Sequence, residues 1–445
     1  MNLEEIKNAK TKSLLAFAIP SIIAMIITTL ITITDGVFIG NFVGDEAIAA
    51  VNLGLPIEYL FLGLGLCTGV GGMVLASQAI GRNNHRQASQ IFSQTLLTTL
   101  IICILTSGVV YFTFDLILNV LGATGILAEY FKAYFSIMLI GFPLLVLQTV
   151  LGMFVRADGK PQFCMLVNIL SFILNIILDY IFVVKLSLGI EGSAWASVLV
   201  EFVALLVSLG YFVKGSSAIR FSSFQFDREI FTATLANGSS EFIGEMASAV
   251  SMFVYNAVIM KAAGYLGVTA FSVLGFCVFA YSMIAIGFGQ GMSPLSAMFY
   301  GAKDYESITE LRKITARLTC AVGAVFAVVF FFFGRTYAGF FGSTPEVLEM
   351  VATGFKIYAV TFVLAGFDTI ASMHFTCCSD AKRSAIISSL RGLVLLIPLT
   401  LLLSACFGMT GVWLTAPLTE LITAIVAVKM LHGDVVVVSL TEQMS

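Results

Sequence analysis

Seven carboxylic acids lie inside long apolar stretches of this chain, where a charged side chain is costly: Asp35, Glu58, Asp179, Glu201, Glu245, Asp368 and Glu420. A charge at the centre of a lipid bilayer costs about 2.5–3.5 kcal/mol on insertion scales, so such a group needs a partner, an aqueous cavity or a bound proton. Very few bases accompany these acids, and Arg391 is the main one. An acidic interior with few bases is suited to capturing cations and poorly suited to holding phosphate.

The first and fifth apolar stretches carry the main candidates for ion binding. Asn175 and Asp179 are four residues apart, which places them on one face of a helix. Amide and carboxylate oxygens at this spacing can bind a hard cation, or the amide can donate to the carboxylate. We predict that Asp35 exchanges a proton or a cation with the interior of its lobe, and that Ser197 adds a hydroxyl to the group of Asn175 and Asp179. The alternative is that these acids are interfacial groups near the outer ends of their helices.

Three further residues are predicted to line a substrate cavity. Thr32 lies one turn before Asp35, Glu245 lies near the start of the seventh apolar stretch, and Asp368 lies midway through the tenth. Pro20 removes one backbone hydrogen bond from the first helix and can kink it. We therefore predict a hinge at Pro20.

The elements that carry these residues are predicted to be membrane helices. The chain has 445 residues, of which 59% are hydrophobic and 11% charged, and its mean hydropathy is +1.00. Soluble domains carry about 25% charged residues, so the expected solvent is lipid. Twelve apolar segments lie near 14–39, 48–80, 91–114, 129–155, 163–184, 190–213, 231–262, 268–300, 314–340, 348–376, 384–406 and 409–431.

Composition also excludes several classes of protein. The net charge of −3 indicates no nucleic-acid partner, and the eight cysteines show no metal-ligand spacing. No motif of nucleotide hydrolysis or soluble enzymology is present, so we expect neither catalysis nor a cofactor. No cleavable signal peptide is evident, and the apolar run from Leu14 is expected to be a retained helix.

Residues 11–90 recur weakly at a constant offset of 220, so that Gly71 and Gly81 fall on Gly291 and Gly301. A duplicated set of membrane helices is typical of secondary transporters. We predict an N-lobe over 1–213, a polar cytoplasmic linker over 214–230 and a C-lobe over 231–445. Because Lys and Arg concentrate on the side of the N-terminus, both termini are predicted to be cytoplasmic. Each lobe then has six helices, and the repeat is parallel.

Several stretches resemble the multidrug and toxic compound extrusion (MATE) transporters of bacteria. They are AIPSIIAMIITTLITITDGVFIGNFVGDEAIAAVNLGLP (18–56), NIILDYIF (175–182), GIEGSAWASVL (189–199), QGMSPLSAMFYGAKDY (290–305) and RGLVLLIPL (391–399). The resemblance implies an all-α protein of twelve transmembrane helices in two pseudo-symmetric six-helix lobes, open as a V to one side. It also implies export of organic, often cationic, compounds in exchange for H⁺ or Na⁺.

The resemblance also implies roles for individual residues. Asp35 matches the acid of helix 1, and Asn175 and Asp179 match its partners on helix 5. Ser197 stands where many members have threonine. Pro20 matches the proline at which helix 1 bends in some members.

In the C-lobe the match is less complete. Asp368 matches an acid of helix 10 that some branches use. The helix 7 glutamate of those branches is replaced by Ser248, with Glu245 one turn earlier.

The sequence thus predicts an ion-coupled exporter of the cell inner membrane that acts by alternating access. Its partners are expected to be small organic substrates and membrane lipid, and the protein is expected to be a monomer. One alternative is a flippase of lipid-linked precursors or oligosaccharides from the same superfamily, which would need intramembrane Arg and Lys. Another is a channel or a scaffold without transport activity.

Overall fold

The computed structural model describes residues 3–214, 218–342 and 344–444, and these parts of the chain form helices without any strand. The helices are α1 (Leu3–Asn8), α2 (Lys10–Phe42), α3 (Asp45–Leu53), α4 (Leu55–Gly81), α5 (His85–Phe112), α6 (Phe114–Leu121), α7 (Ile126–Ala157), α8 (Pro161–Asp179), the π-helix π1 (Tyr180–Lys185), α9 (Gly189–Lys214), α10 (Arg228–Gly301), α11 (Tyr305–Gly339), α12 (Pro345–Cys377), α13 (Ala381–Ser389), the π-helix π2 (Leu390–Val394) and α14 (Leu396–Met444).

The twelve predicted apolar segments all lie on helical backbone. Ten continuous helical stretches of the described chain are long and apolar enough to cross a membrane. Two of them are double, because α10 turns sharply at Gly264 (φ 62°) and α14 turns at Gly408 (φ 56°). Glycine adopts a positive φ without the steric cost that a side chain would add. The prediction of an all-α chain is confirmed.

The predicted repeat is visible in the backbone. Residues with a positive φ recur in the second half at an offset of 219 or 220, and the pairs are Gly44 and Gly264, Asn83 and Lys303, Gly122 and Gly342, Gly159 and Ser379, and Gly189 and Gly408. These pairs extend the register of the repeat beyond residues 11–90 into the later helices of each half.

The chain forms two compact units. Unit 1 contains residues 19–245, and unit 2 contains residues 2–18 and 246–445. The chain therefore changes unit inside α2, between Ala18 and Ile19, and inside α10, between Glu245 and Met246. The predicted lobes, by comparison, divide the chain at its linker.

The described part of the linker is hydrogen-bonded to unit 1. The Ser222 amide donates to Ser93 Oγ at 3.0 Å, and the Asp227 amide donates to Gln94 Oε1 at 3.1 Å. The amide of Ala218 donates to Asp158 Oδ1 at 2.7 Å. These hydrogen bonds satisfy backbone amides of a segment that is neither helix nor strand. Residues 215–217 of the predicted linker lie outside the described residues.

Glycines allow the start of α10 to approach α4 within unit 1. A Cβ at Gly238 would overlap the Cys67 carbonyl, and a Cβ at Gly71 would overlap the Thr234 carbonyl. In unit 2 a Cβ at Gly291, the repeat partner of Gly71, would crowd the backbone of Ala18. Close glycine contacts thus hold the first part of α10 in unit 1 and the first part of α2 in unit 2.

We expect Gly238→Ala to destabilise the protein, because the added methyl group would overlap backbone atoms that cannot rotate away. Overpacking of this kind typically costs about 1–3 kcal/mol. The matched control is Gly244→Ala on the same helix, where a Cβ meets nothing within 4 Å. The measurement is thermal unfolding in detergent, and equal melting temperatures for the two variants would contradict the packing argument.

The end of α1 is joined to the start of α11 by a charged cap. Asp304 Oδ1 accepts from the Ser307 amide at 3.1 Å, and Lys7 Nζ lies 2.8 Å from Asp304 Oδ2. Partial burial opposes the charged carboxylate, but the hydrogen bonds from Lys7 and Ser307 outweigh it and lower the pKa of Asp304 below its usual range.

A lowered pKa in the folded state means that this carboxylate stabilises the protein above the ordinary Asp pKa of about 3.9. We expect that stabilisation to be lost as the pH falls through the folded pKa of Asp304. Asp304→Asn keeps a good capping side chain but loses the charge. Thermal unfolding across acidic pH should therefore be less pH-dependent in Asp304→Asn than in the wild type, and parallel curves would refute this role of the charge.

Candidate functional site

The predicted pair of Asp35 and Asn175 meets inside unit 1. Asn175 Nδ2 donates to Asp35 Oδ1 at 2.7 Å, which joins α8 to α2. The Asn175 and Asp179 side chains are both 0% exposed, and their spacing of four residues places them on one face of α8. Asp35 itself is partly exposed. The structure thus places the first predicted acid against the partner predicted from the fifth apolar stretch.

The Asp179 and Ser197 side chains complete the cluster. The Asp35 carboxyl interacts with both of them as well as with Asn175. Both carboxyl oxygens of Asp179 are buried. Two neighbouring carboxyl groups in a poorly solvated place cannot both be ionised cheaply, so one proton or one bound cation must be shared between them.

More acidic groups surround this cluster. The charges of Glu58 and Glu201 also act on Asp35, and both side chains are partly buried. One oxygen of Glu201 is buried without a donor. The groups that interact with Asp35 carry no positive charge. The site is therefore an unbalanced anionic centre, able to hold a proton or a small cation and to attract a cationic molecule.

Two residues that support this site were not identified from the sequence. Ser193 is fully buried, interacts with Asp179, and accepts at its carbonyl from Ser197 Oγ at 3.2 Å. Asn168 Nδ2 donates to the Ala24 carbonyl at 3.2 Å and so fastens α8 to α2 a second time. Helical spacing could have indicated both, since Ser193 lies four residues before Ser197 and Asn168 seven before Asn175.

A π-helix begins directly after Asp179. The residues Tyr180–Lys185 follow the last residue of α8 without an interruption of the helix. Short π-helical segments inside α-helices occur frequently at functional sites, because the wider turn changes the direction of neighbouring side chains. No feature of the sequence predicted this segment.

The other predicted residues of unit 1 lie outside that hydrogen-bonded group. Thr32 is exposed, and its hydroxyl donates to the Thr28 carbonyl of its own helix at 3.5 Å. Pro20 is buried in α2, which continues through it, and lies two residues after the point where the chain changes unit. Glu245 is half-buried at the end of the unit 1 segment of α10, and its charge acts on Glu241.

Asp368 lies in unit 2, in a second charged cluster. Its side chain is 0% exposed, and neither of its oxygens has a hydrogen-bond donor. Its carboxyl interacts with Glu420, which forms an ion pair with Arg391 at 2.9 Å. Arg391 belongs to π2, so a π-helix adjoins the charged cluster in each unit.

Comparison with known proteins places this fold and these helices in one family. The family model MatE matches residues 20–181 and 244–425, which is more than half of the chain. A multidrug export protein MepA from Staphylococcus saprophyticus is 25% identical over 429 residues, covering 96% of this chain and 94% of that protein. A protein of the same name from Staphylococcus aureus is 23% identical over 431 residues, with the same coverage.

Solved structures show the same fold. A MATE protein in the bent conformation has a TM-score of 0.92 at 23% identity, covering 99% of this chain and 98% of that one. An outward-facing multidrug resistance MATE family transporter of the MOP superfamily has a TM-score of 0.88 at 23% identity, covering 94% of each chain. The predicted fold of twelve transmembrane helices in two lobes is thereby confirmed. The chain belongs to the multidrug and toxic compound extrusion (MATE) family of multi-span membrane transporters.

Proposed function

We propose that this protein exports organic compounds, mainly cationic and amphipathic ones, in exchange for H⁺ or Na⁺ by alternating access. The observation that carries the proposal is the paired carboxyl centre of Asp35 and Asp179, held by the Asn175 amide and surrounded by acids. The relatives named multidrug export proteins support drug efflux as the direction and class of transport.

The mechanism follows from the charge of this centre. An empty Asp35 carboxylate attracts a cationic substrate, whereas a bound H⁺ or Na⁺ neutralises it and removes that attraction. Ion binding then releases the substrate, and bending of α2 at Pro20 accompanies the exchange. Coupling requires only that the two transport states differ in their affinity for the ion.

The driving force depends on the stoichiometry. One elementary charge that crosses 100 mV gains about 2.3 kcal/mol. Exchange of one H⁺ for one monovalent cation moves no net charge, so that stoichiometry is driven by the proton gradient alone. In this proposal Thr32 and Glu245 in unit 1, and Asp368 in unit 2, belong to the substrate cavity.

The charges favour organic cations over lipid-linked phosphates. A flippase for such anions needs unpaired bases in the membrane. Arg391 lies close to Asp368, and its guanidinium is held by Glu420. We also propose that the protein lies in the cell inner membrane with both termini cytoplasmic, and that it acts as a monomer in contact with lipid and without a resident cofactor.

We expect Asp35→Asn to abolish ion-driven export, because the amide can neither exchange a proton nor hold a cation by charge. The measurement is efflux of a fluorescent organic cation from proteoliposomes under an imposed ΔpH or ΔNa⁺. Asp45→Asn is the matched control, since Asp45 is an exposed acid in the first turn of α3. Wild-type rates in Asp35→Asn would remove Asp35 from the mechanism.

Asn175→Ala should weaken both the stability and the coupling of the site, because it removes the donor to Asp35. Loss of a hydrogen bond to a charged group costs about 1.5–3 kcal/mol, compared with about 0.5–1.5 kcal/mol for a neutral one. Asn168→Ala is the matched control, since it also removes a link between α8 and α2 but its acceptors are uncharged. Thermal unfolding together with ion-driven efflux distinguishes them, and equal effects would show that Asn175 acts only as a helix contact.

A further inference from the structure

The charged cluster of unit 2 contains its own cation. Arg391 Nε donates to Glu420 Oε1 at 3.1 Å and to Oε2 at 2.9 Å, and Nη2 donates to Oε1 at 3.1 Å. The third nitrogen, Nη1, donates to Thr369 Oγ1 at 3.0 Å. All three nitrogens of the guanidinium are therefore engaged, and both oxygens of Glu420 are taken.

Asp368, the residue before Thr369, accepts no hydrogen bond from the guanidinium. Asp368 is 0% exposed, and neither carboxyl oxygen accepts a hydrogen bond, although its carboxyl lies close enough to interact with Glu420 and Arg391. An ionised carboxylate buried in this way is strongly unfavourable unless it is paired or neutralised. Two carboxyl groups share one guanidinium, so the cluster needs one more positive charge.

Within the part of the chain that the structure describes, the charges that act on Asp368 are those of Glu420 and Arg391. The titratable groups whose charges couple to this cluster from α10, α11 and α12 are a thiol and three phenols, which are neutral at ordinary pH: Cys320, Tyr255, Tyr281 and Tyr358. The missing charge must therefore come from solution.

The available oxygens decide which cation fits. Hard metal ions bind through several oxygens at once. Here Arg391 already occupies Glu420 and Thr369, and the Thr369 hydroxyl donates to the Ala365 carbonyl at 2.7 Å. A proton needs a single oxygen, and Asp368 offers two.

We propose that Arg391 is the residue that sets the ion specificity of unit 2. It is a tethered cation that occupies Glu420 and Thr369, excludes Na⁺ from the cluster, and leaves Asp368 to exchange one proton. The exchange forms one O–H bond on Asp368 at the expense of a hydronium ion and returns the proton to water on release. This inference rests on the proposed ion-coupled export, and it identifies the ion that unit 2 binds. The centre of Asp35 lacks a base and is open to either ion.

Infrared difference spectroscopy of the purified protein between acidic and alkaline buffer tests this assignment. A protonated carboxyl group in a poorly solvated place gives a resolved carbonyl stretch. We expect one such band to be lost in Asp368→Asn and to be unaffected by Na⁺ in the wild type. In Arg391→Gln the freed oxygens should admit Na⁺, so that added Na⁺ now diminishes the same band.

Arg383→Gln is the matched control. Arg383 is another arginine of unit 2, but it pairs with Asp380 at 3.4 Å at the start of α13, and its variant should respond to Na⁺ as the wild type does. The wild-type and Asp368→Asn spectra alone are decisive if Arg391→Gln fails to fold. An Asp368 band that Na⁺ diminishes in the wild type would overturn the inference, and so would an unchanged Na⁺ response in folded Arg391→Gln.

The spectra report which ion occupies Asp368 whether or not the protein transports. Failure of ion-driven efflux in proteoliposomes would remove the proposed function and leave the spectroscopic assignment intact. A Na⁺-sensitive Asp368 would instead remove this inference and leave Asp35-coupled export intact.

Discussion

Buried carboxyl groups outnumber the bases that could neutralise them, and this imbalance governs the chemistry of both units. In unit 1 the Asp35 and Asp179 carboxyls lie together with an amide and hydroxyls but without a base. In unit 2 Asp368 lies close to the ion pair of Arg391 with Glu420 but accepts no hydrogen bond from it. Each centre is short of at least one positive charge, which in a poorly solvated interior must be taken from solution. Exchange requires a site that must bind a cation and that more than one kind of cation can reach.

The two units repeat in backbone but differ in chemistry. The turns with positive φ recur at an almost constant offset along the whole chain. At the same offset, however, the position of Asp35 is occupied by Tyr255, a buried phenol on which the charge of Glu420 acts. Glu201 and Glu420 are also repeat partners, but Glu201 lies among acids whereas Glu420 holds an arginine. The duplication therefore preserved the helical frame, and substitutions within it produced two different charged centres.

The helices, the repeat and the pair of Asn175 with Asp179 could be predicted because each depends on a simple pattern along the sequence. Apolar length identifies membrane helices, a constant offset identifies a repeat, and a spacing of four residues places Asn175 and Asp179 on one face. The meeting of α2 with α8 was expected only once a family resemblance was added. Nothing in the local sequence predicted π1 or π2, because a π-helical turn is stabilised by its tertiary surroundings.

Local sequence patterns also could not predict which unit each helix segment belongs to. Close contacts at Gly238 and Gly291 hold the first part of α10 in unit 1 and the first part of α2 in unit 2. A glycine required by another helix looks the same in a sequence as a glycine that faces open space, such as Gly244. For that reason Glu245 was expected among the acids of the second lobe, whereas it lies at the end of the segment grouped with unit 1. The ion pair of Arg391 with Glu420 was missed for a similar reason, since a separation of 29 residues carries no helical periodicity.

The central claim is that a cationic substrate and a coupling ion compete for the Asp35 and Asp179 centre. Its most direct test is the ion released when substrate binds to the purified protein in weakly buffered detergent solution, followed with a pH indicator and a Na⁺ electrode. The account predicts that substrate binding releases H⁺ or Na⁺ from the wild type, and that Asp35→Asn releases neither. Substrate that binds the wild type without displacing either ion would contradict it.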